Sequence, residues 1–274
     1  MKLLVPFDGS PAARHAVELV AGYAGDPASI SLTLLNVDRS ASERGGAVLK
    51  PALERLAAAG FALEADVQVG PVAPTILAKA RTAQSDLVVM GTRGAGAVQG
   101  FALGSVALRV AHGNGPPVLL VKPDDCLPRS IGSRTKVLLA MDGSEPAMRA
   151  AERLVAWRGW LGELDVDLVY VQEPLSLLET VLPPHDNVIG QWSTQEGEEA
   201  TRKARELFAR EKIGQHLHLT VGDPSREIMV LAEQTKADLI AVGTRGRGGA
   251  HHALVGSVAL KSAVLTAVPV LLVP

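Results

Sequence analysis

Short apolar runs alternate with Ala-rich stretches of helical spacing along the whole chain. In the first half the runs fall at residues 3–7, 32–37, 61–69, 86–90 and 117–121. Between them lie segments such as PAARHAVELVAGYA and APTILAKARTAQ, whose apolar residues recur at helical spacing. Strands separated by helices of about 10–15 residues predict βαβ units and a parallel sheet. Most of the runs carry no regular polar alternate, as strands covered on both faces do. Right-handed crossovers then lead to a doubly wound arrangement of the five strands.

The pattern occurs twice. KLLVPFDGSP at 2–11 returns as KVLLAMDGSEP at 136–146, an offset of 134 residues, and SDLVVMGTRG at 85–94 returns as ADLIAVGTRG at 237–246, an offset of 152. GSVALRV (104–110) and PVLLV (117–121) come back as GSVALKS (256–262) and PVLLV (269–273). Matched blocks in the same order mean duplication. The offset grows by 18, so the second copy carries an insertion of that length between Val171 and Val221. The stretch 173–195, with Pro174, Pro183, Pro184 and Trp192, is read as a lid or as a longer crossover. KPDDCLPRSIGSR, rich in Pro, Ser and charge, reads as a connection. The expected division is a domain at 1–123, a linker at 124–134 and a second domain at 135–274.

Composition narrows the function classes. The chain has 274 residues, 47% hydrophobic and 20% charged, so there is apolar material for two packed domains and disorder is not expected. Aromatics are only 3%, so Ala, Val, Leu and Ile must build the core. Net charge is −2 with no long basic run, which speaks against a nucleic-acid partner. Cys126 is the single cysteine, so no intrachain disulfide can form and a reducing cytoplasm is the expected location. MKLLVPFDGS reaches Pro6 and Asp8 too soon for a signal-peptide core, and no apolar run approaches the roughly 18 residues of a membrane span.

In open parallel sheets ligands bind beyond the carboxyl ends of the strands. Two features of each copy map there. One is an acidic residue after the first strand, Asp8 and Asp142. The other is a glycine-rich segment after the fourth, GTRGAGAVQGFALGS at 91–105 and GTRGRGGAHHALVGS at 243–257. Glycines admit close approach of an anion and positive φ. A helix starting at Gly-Ser aims free N–H groups and its positive dipole end at that anion. Ser105 and Ser257 add a hydroxyl donor each, chemistry suited to a di- or triphosphate. The Asp is equally read as an N-cap of the next helix, and the glycines as turn geometry. Arg93 and Arg245 are read as phosphate contacts or as solvated charges.

The segment G-x2-G-x9-G-[ST] resembles the signature of the ATP-binding universal stress proteins, here in tandem form. Gly91, Gly94, Gly104 and Ser105 match it in the first copy, and Gly243, Gly246, Gly256 and Ser257 in the second. The resemblance covers nearly the whole chain. It implies two adenine-nucleotide α-hydrolase-like domains, each a five-stranded parallel sheet flanked by helices, and ATP as ligand, with or without Mg2+. It further implies that Asp8 and Asp142 contact the nucleoside end and that Val37 and Val171 line the adenine pocket. Pro6 fits the position two before the Asp, where the second copy has Ala140. Met90, Val106, Val242 and Val258, flanking the glycines, complete the implied lining. Pro-Pro-Val at 116–118 and Val-Pro-Val at 268–270 resemble the start of the strand that pairs domains in the family's dimers. Intramolecular pairing of the copies is therefore expected, and a homodimer of tandem chains is compatible with it. Gly94 and Gly246 also suit a tight turn opening the loop.

The second loop is the more cationic: Arg247, His251 and His252 replace Ala95, Gln99 and Gly100, which suggests a tighter triphosphate site there. Walker A, the dinucleotide fingerprint and the G-x-S-x-G elbow are absent. His216 and His218 alternate in HLHLT as on a strand with one wet face, and neither they nor His251–His252 have carboxylate partners at metal-ligand spacing in sequence. Glu18, Glu54, Glu152 and the run EGEEATRKARELFAREK read as solvated helix faces with i,i+4 pairing. The expected function is a non-enzymatic, ATP-binding regulatory or stress-response protein. A weak ATPase and a nucleotide-free interaction scaffold are the alternatives.

Overall fold

The computed structural model describes residues 1–38, 44–94, 103–127, 131–173, 186–246 and 255–274, with backbone alone at 44 and 186–193. The first copy runs β1 (Lys2–Pro6), α1 (Pro11–Ala21), β2 (Ser31–Asp38), α2 (Arg44–Ala58), β3 (Leu63–Val69), α3 (Val72–Thr82), β4 (Leu87–Gly91), α4 (Ser105–His112) and β5 (Val118–Val121). The second runs β6 (Arg134–Ala140), α5 (Glu145–Ala156), the short α6 (Arg158–Leu161), β7 (Glu163–Gln172), α7 (Asp186–Arg210), β8 (Gly214–Val221), α8 (Pro224–Thr235), β9 (Leu239–Gly243), α9 (Ser257–Leu265) and β10 (Val270–Val273). Each copy is the doubly wound parallel sheet that its apolar pattern predicts.

The ten described strands form one sheet in the order β3-β2-β1-β4-β5-β10-β9-β6-β7-β8. Pairing is parallel within each copy. At the seam β5 and β10 run antiparallel, with Leu120 opposite Val270, Leu119 opposite Leu271 and Val118 opposite Leu272. Alternate strand residues face opposite layers. Leu3, Val5, Leu34 and Val89 pack under α1 and α2 with Val137 and Leu139 of the second copy, beneath α5 and α7. Leu4, Leu35, Val88 and Met90 turn to the other layer, toward α3 and α4, where Leu138 and Ile240 meet α8 and α9. Both layers run through the seam. Beside it Tyr23 stacks on Trp160, ring centroids 6.3 Å apart.

The described part of the connection between the copies is packed against both. Ile131 is in the core and Asp125 is buried, pairing with the Lys122 ammonium at 3.4 Å. His15 Nε2 lies 2.9 Å from the Asp125 carbonyl oxygen, and the Cys126 N–H donates to Ala267. The insertion lengthens the crossover helix: α7 has 25 residues where α2 has 15. Residues 174–185 lie outside the described residues, as do the side chains of 174–193. The expectation of helical i,i+4 pairing needs correcting at Glu18, which meets Arg55 on the neighbouring α2 at 2.8 Å. Within α7 it is seen between Arg202 and Glu206 at 3.0 Å.

Candidate functional site

The two Asp-Gly-Ser segments fold identically. Ser10 caps α1, its Oγ accepting the Ala13 N–H at 3.2 Å, and Ser144 caps α5 through the Ala147 N–H at 3.4 Å. The cap is thus the serine and not the aspartate. The aspartate instead braces the turn that leads into the helix. Asp8 Oδ1 accepts the Ser10 N–H at 3.0 Å, and Asp142 Oδ1 the Ser144 N–H at 2.9 Å. Gly9 and Gly143 between them take φ of 77°, a conformation that side chains with a Cβ avoid.

The same serines tie this turn to the glycine loop. Ser10 Oγ donates to the Arg93 carbonyl at 3.1 Å and Ser144 Oγ to the Arg245 carbonyl at 3.2 Å. Close approach sets the glycines. A Cβ on Gly94 would stand 2.8 Å from Asp8 Oδ2, and one on Gly246 2.6 Å from Asp142 Oδ2. Gly94 and Gly246 are not among the described glycines with positive φ, so it is the space beside Asp8 and Asp142, and not a left-handed backbone, that favours glycine there. Gly91 and Gly243 serve packing: a Cβ would come within 2.7 Å of the Ala13 and Ala147 backbone nitrogens respectively, in the first turns of α1 and α5. Gly104 N donates to the Thr92 carbonyl at 2.8 Å, and a Cβ there would sit 2.9 Å from that oxygen. Gly256 repeats the bond to Thr244 at 2.6 Å.

Beyond these glycines α4 and α9 begin at Ser105 and Ser257 with no side chain capping them. Both serines are exposed. The first helical N–H groups have no intrahelical partner, so in each copy an uncapped helix terminus stands beside an Asp-buttressed glycine turn.

In the first copy these groups surround an open cleft of about 470 Å³, within the range of small-molecule sites. Its polar end holds Asp8, Arg93, Gly94, Gly104 and Ser105, with Gly91 at the strand terminus. Its apolar end is built by Pro6, Val37, Met90 and Val106. Every first-copy residue proposed from the sequence therefore lines one space. The cleft also takes in Ser10, Ala13, Asp38, Val72, Ile76, Thr92 and Ala107, to which the sequence does not point. Val72 and Ile76 come from the start of α3, and only the doubly wound crossover brings them over the ends of β1 and β4. Thr92 is 3% exposed and its Oγ1 has no hydrogen-bond partner among the described residues.

The second-copy counterparts hold matching places: Ala140 ends β6, Val171 lies on β7, Val242 and Gly243 end β9, and Val258 follows Ser257. Arg245 is exposed where Arg93 is half-buried. Arg247, His251 and His252 lie outside the described residues, as do Ala95, Gln99 and Gly100.

His218 departs from expectation. Its Nε2 lies 2.6 Å from Oδ1 of Asp167, which is 2% exposed, and Lys136 Nζ stands 3.3 Å from the other oxygen. The partner is 51 residues away on the neighbouring strand, where sequence spacing does not reveal it. Among the described residues no three His, Cys, Asp or Glu side chains cluster as a metal site, and no helix is long and apolar enough to cross a membrane.

Comparison with known proteins accords with this geometry. The model of the universal stress protein family matches residues 1–122 and again 133–274. A universal stress protein of Mycolicibacterium smegmatis is 31% identical over 221 residues, covering 78% of this chain and 69% of its own. One of Methanocaldococcus jannaschii is 29% identical over 50% of this chain and 81% of its own. Among solved structures, a universal stress protein from Archaeoglobus fulgidus matches with a TM-score of 0.68 at 22% identity, over 99% of this chain and 95% of its own, a likeness of fold. With both halves matched, the chain belongs to the universal stress protein family, as two tandem copies of its domain.

Proposed function

We propose that each copy binds ATP, phosphates on the uncapped helix terminus at Gly104–Ser105 or Gly256–Ser257 and adenine toward Val37 or Val171, and that occupancy rather than turnover is the protein's output. The observation that carries this is the bare N-terminus of α4 opening on a cleft whose other end is apolar. Oriented amides and a positive dipole end fit phosphate. The Thr92 hydroxyl, buried with no partner among the described residues, supplies a further donor of the kind a ligand would satisfy. Bound ATP, with Mg2+ as its ordinary counter-ion, contributes the charge to which those amides respond.

Asp8 and Asp142, fixed by the Ser10 and Ser144 amides, would orient the sugar end. Apart from Asp8 and Asp38, the described walls of the first cleft offer no side chain suited to take a proton from water, which favours a binding module over an ATPase. Native mass spectrometry of the purified full-length chain tests the reading. Up to two adenine nucleotides per chain are expected, unconverted over hours and lost on Gly104→Val with Gly256→Val. Conversion to ADP in proportion to protein would establish an ATPase instead. No nucleotide, and no rise in Tm with ATP, would leave the scaffold reading.

A further inference from the structure

The two copies differ beside the cleft, where an aspartate has been exchanged for a proline. In the second copy Asp223 caps α8, its Oδ1 accepting the Arg226 N–H at 3.0 Å, and its Oδ2 lies 3.5 Å from Lys261 Nζ on α9. The Arg226 N–H, helped by Lys261, holds that carboxyl below the usual carboxylate range. A carboxylate thus bridges the start of the copy's third main helix and the body of its fourth.

The same positions in the first copy, 152 residues earlier, are Pro71 and Arg109. Proline offers no oxygen, so α3 starts without a side-chain cap. The cation is kept in kind, and among the described residues Arg109 has no acidic partner. Between the two lies a groove of about 490 Å³, walled by Gly70, Pro71 and Pro74 on one side and by Ser105, Val106 and Arg109 on the other. Val72, Ser105 and Val106 line both this groove and the cleft. Arg109 lies just over one turn of α4, about 6 Å, past Ser105, and a helical side chain leans back toward the N-terminus.

We propose that the groove is a phosphoryl subsite of the first cleft, filled by a phosphate beyond those seated at Gly104–Ser105, and that in the second copy Asp223 occupies the equivalent position. The first site then prefers a nucleotide with an extended phosphate chain, and the second a ligand with a shorter one. This rests on the nucleotide reading of the cleft. It points the opposite way from the loop charges of the second copy, which favour that copy for triphosphate.

The test uses the full-length chain carrying Ser257→Asp, which sets a negative charge at the second helix terminus to silence that site. Into it go Pro71→Asp, which copies the second copy's carboxylate, or Arg109→Gln. Calorimetric titration with ATP is expected to show affinity about tenfold weaker in both, the scale of one charged hydrogen bond, while AMP changes less than about twofold on the same grounds. Parent-like ATP affinity in both variants, or an equal loss for AMP, overturns the subsite. If the parent binds neither nucleotide, the ATP reading falls, and inorganic tripolyphosphate then decides the subsite alone. A Tm rise in the parent that Pro71→Asp removes supports it and assigns the groove to free polyphosphate; no rise, or the same rise in both, overturns it. Pro71→Asp is itself expected to fold, because it recreates the cap seen at Asp223.

Discussion

Replacing Ser105 by Asp puts a carboxylate on the first residue of α4, where one charge has two opposed effects. Ser105 is exposed and makes no capping bond, so the substitution removes little. A negative charge in the first turn stabilises a helix by about 0.3–1 kcal/mol, which for a chain of this size raises Tm by about 1–3 °C. The same charge would face the phosphates proposed to sit on this terminus. Two unit charges about 4 Å apart repel by about 1 kcal/mol in water and about 4 at the effective dielectric near a protein surface. The cleft is open, so the lower half of that range applies, and a loss of about ten- to hundredfold in ATP affinity is expected. Calorimetric titration of Ser105→Asp, Ser257→Asp and the double variant, beside differential scanning calorimetry without ligand, reads both effects. Each single variant should keep one site, and the double none. A raised Tm with unchanged ATP binding would show that phosphate does not sit on these termini, and the placement of the ligand would have to be abandoned.

Other residues give independent checks. Gly243→Ala forces a Cβ to 2.7 Å from the Ala147 nitrogen, and urea denaturation should show a loss of about 1–3 kcal/mol. Gly46→Ala on α2, with nothing within 4 Å of the new Cβ, should instead gain about 0.5–1 kcal/mol. Burial would raise the Asp66 carboxyl, but hydrogen bonds from Lys79 and Gln68 outweigh it and hold the group below the usual carboxylate range. A depressed pKa contributes stability that is present above the unfolded value and lost as pH falls through the folded one. Asp66→Asn is therefore expected to lower the urea midpoint at pH 7 and to converge with wild type as pH falls through the depressed folded value; equal midpoints at pH 7 would argue against the Lys79–Asp66 pair. Asp223→Ala should cost about 1 kcal/mol as a lost cap, seen in the same denaturation series.

The fold is legible in the sequence where its cause is local. Buried parallel strands write themselves as apolar runs, and Leu3–Val5 and Val137–Leu139 show this with near-zero exposure. The glycine loop is legible where a backbone atom stands too close for a Cβ, as at Gly91, Gly104 and Gly243. The rest depends on distances that no sequence prints. Val72 and Ile76 reach the cleft through a crossover, and Asp167 meets His218 and Lys136 across strand register. Thr92 looks like any strand-end threonine until its hydroxyl proves buried with no partner among the described residues. The aspartate of Asp-Gly-Ser reads as a cap because the local chemistry is the same; only the hydrogen bonds assign the cap to Ser10 and Ser144. The insertion's prolines and tryptophan leave a lid and a longer crossover both open, and its described part lengthens α7.

The antiparallel seam also fixes where the strand ends of the two copies look. Because β5 and β10 run in opposite directions, the carboxyl ends of the two copies' strands lie on opposite rims of the one sheet. A ligand site at each set of strand ends, as proposed above, would open away from the other. A partner that docks over one mouth is blind to the other. A partner that read both would have to wrap around the sheet or arrive twice.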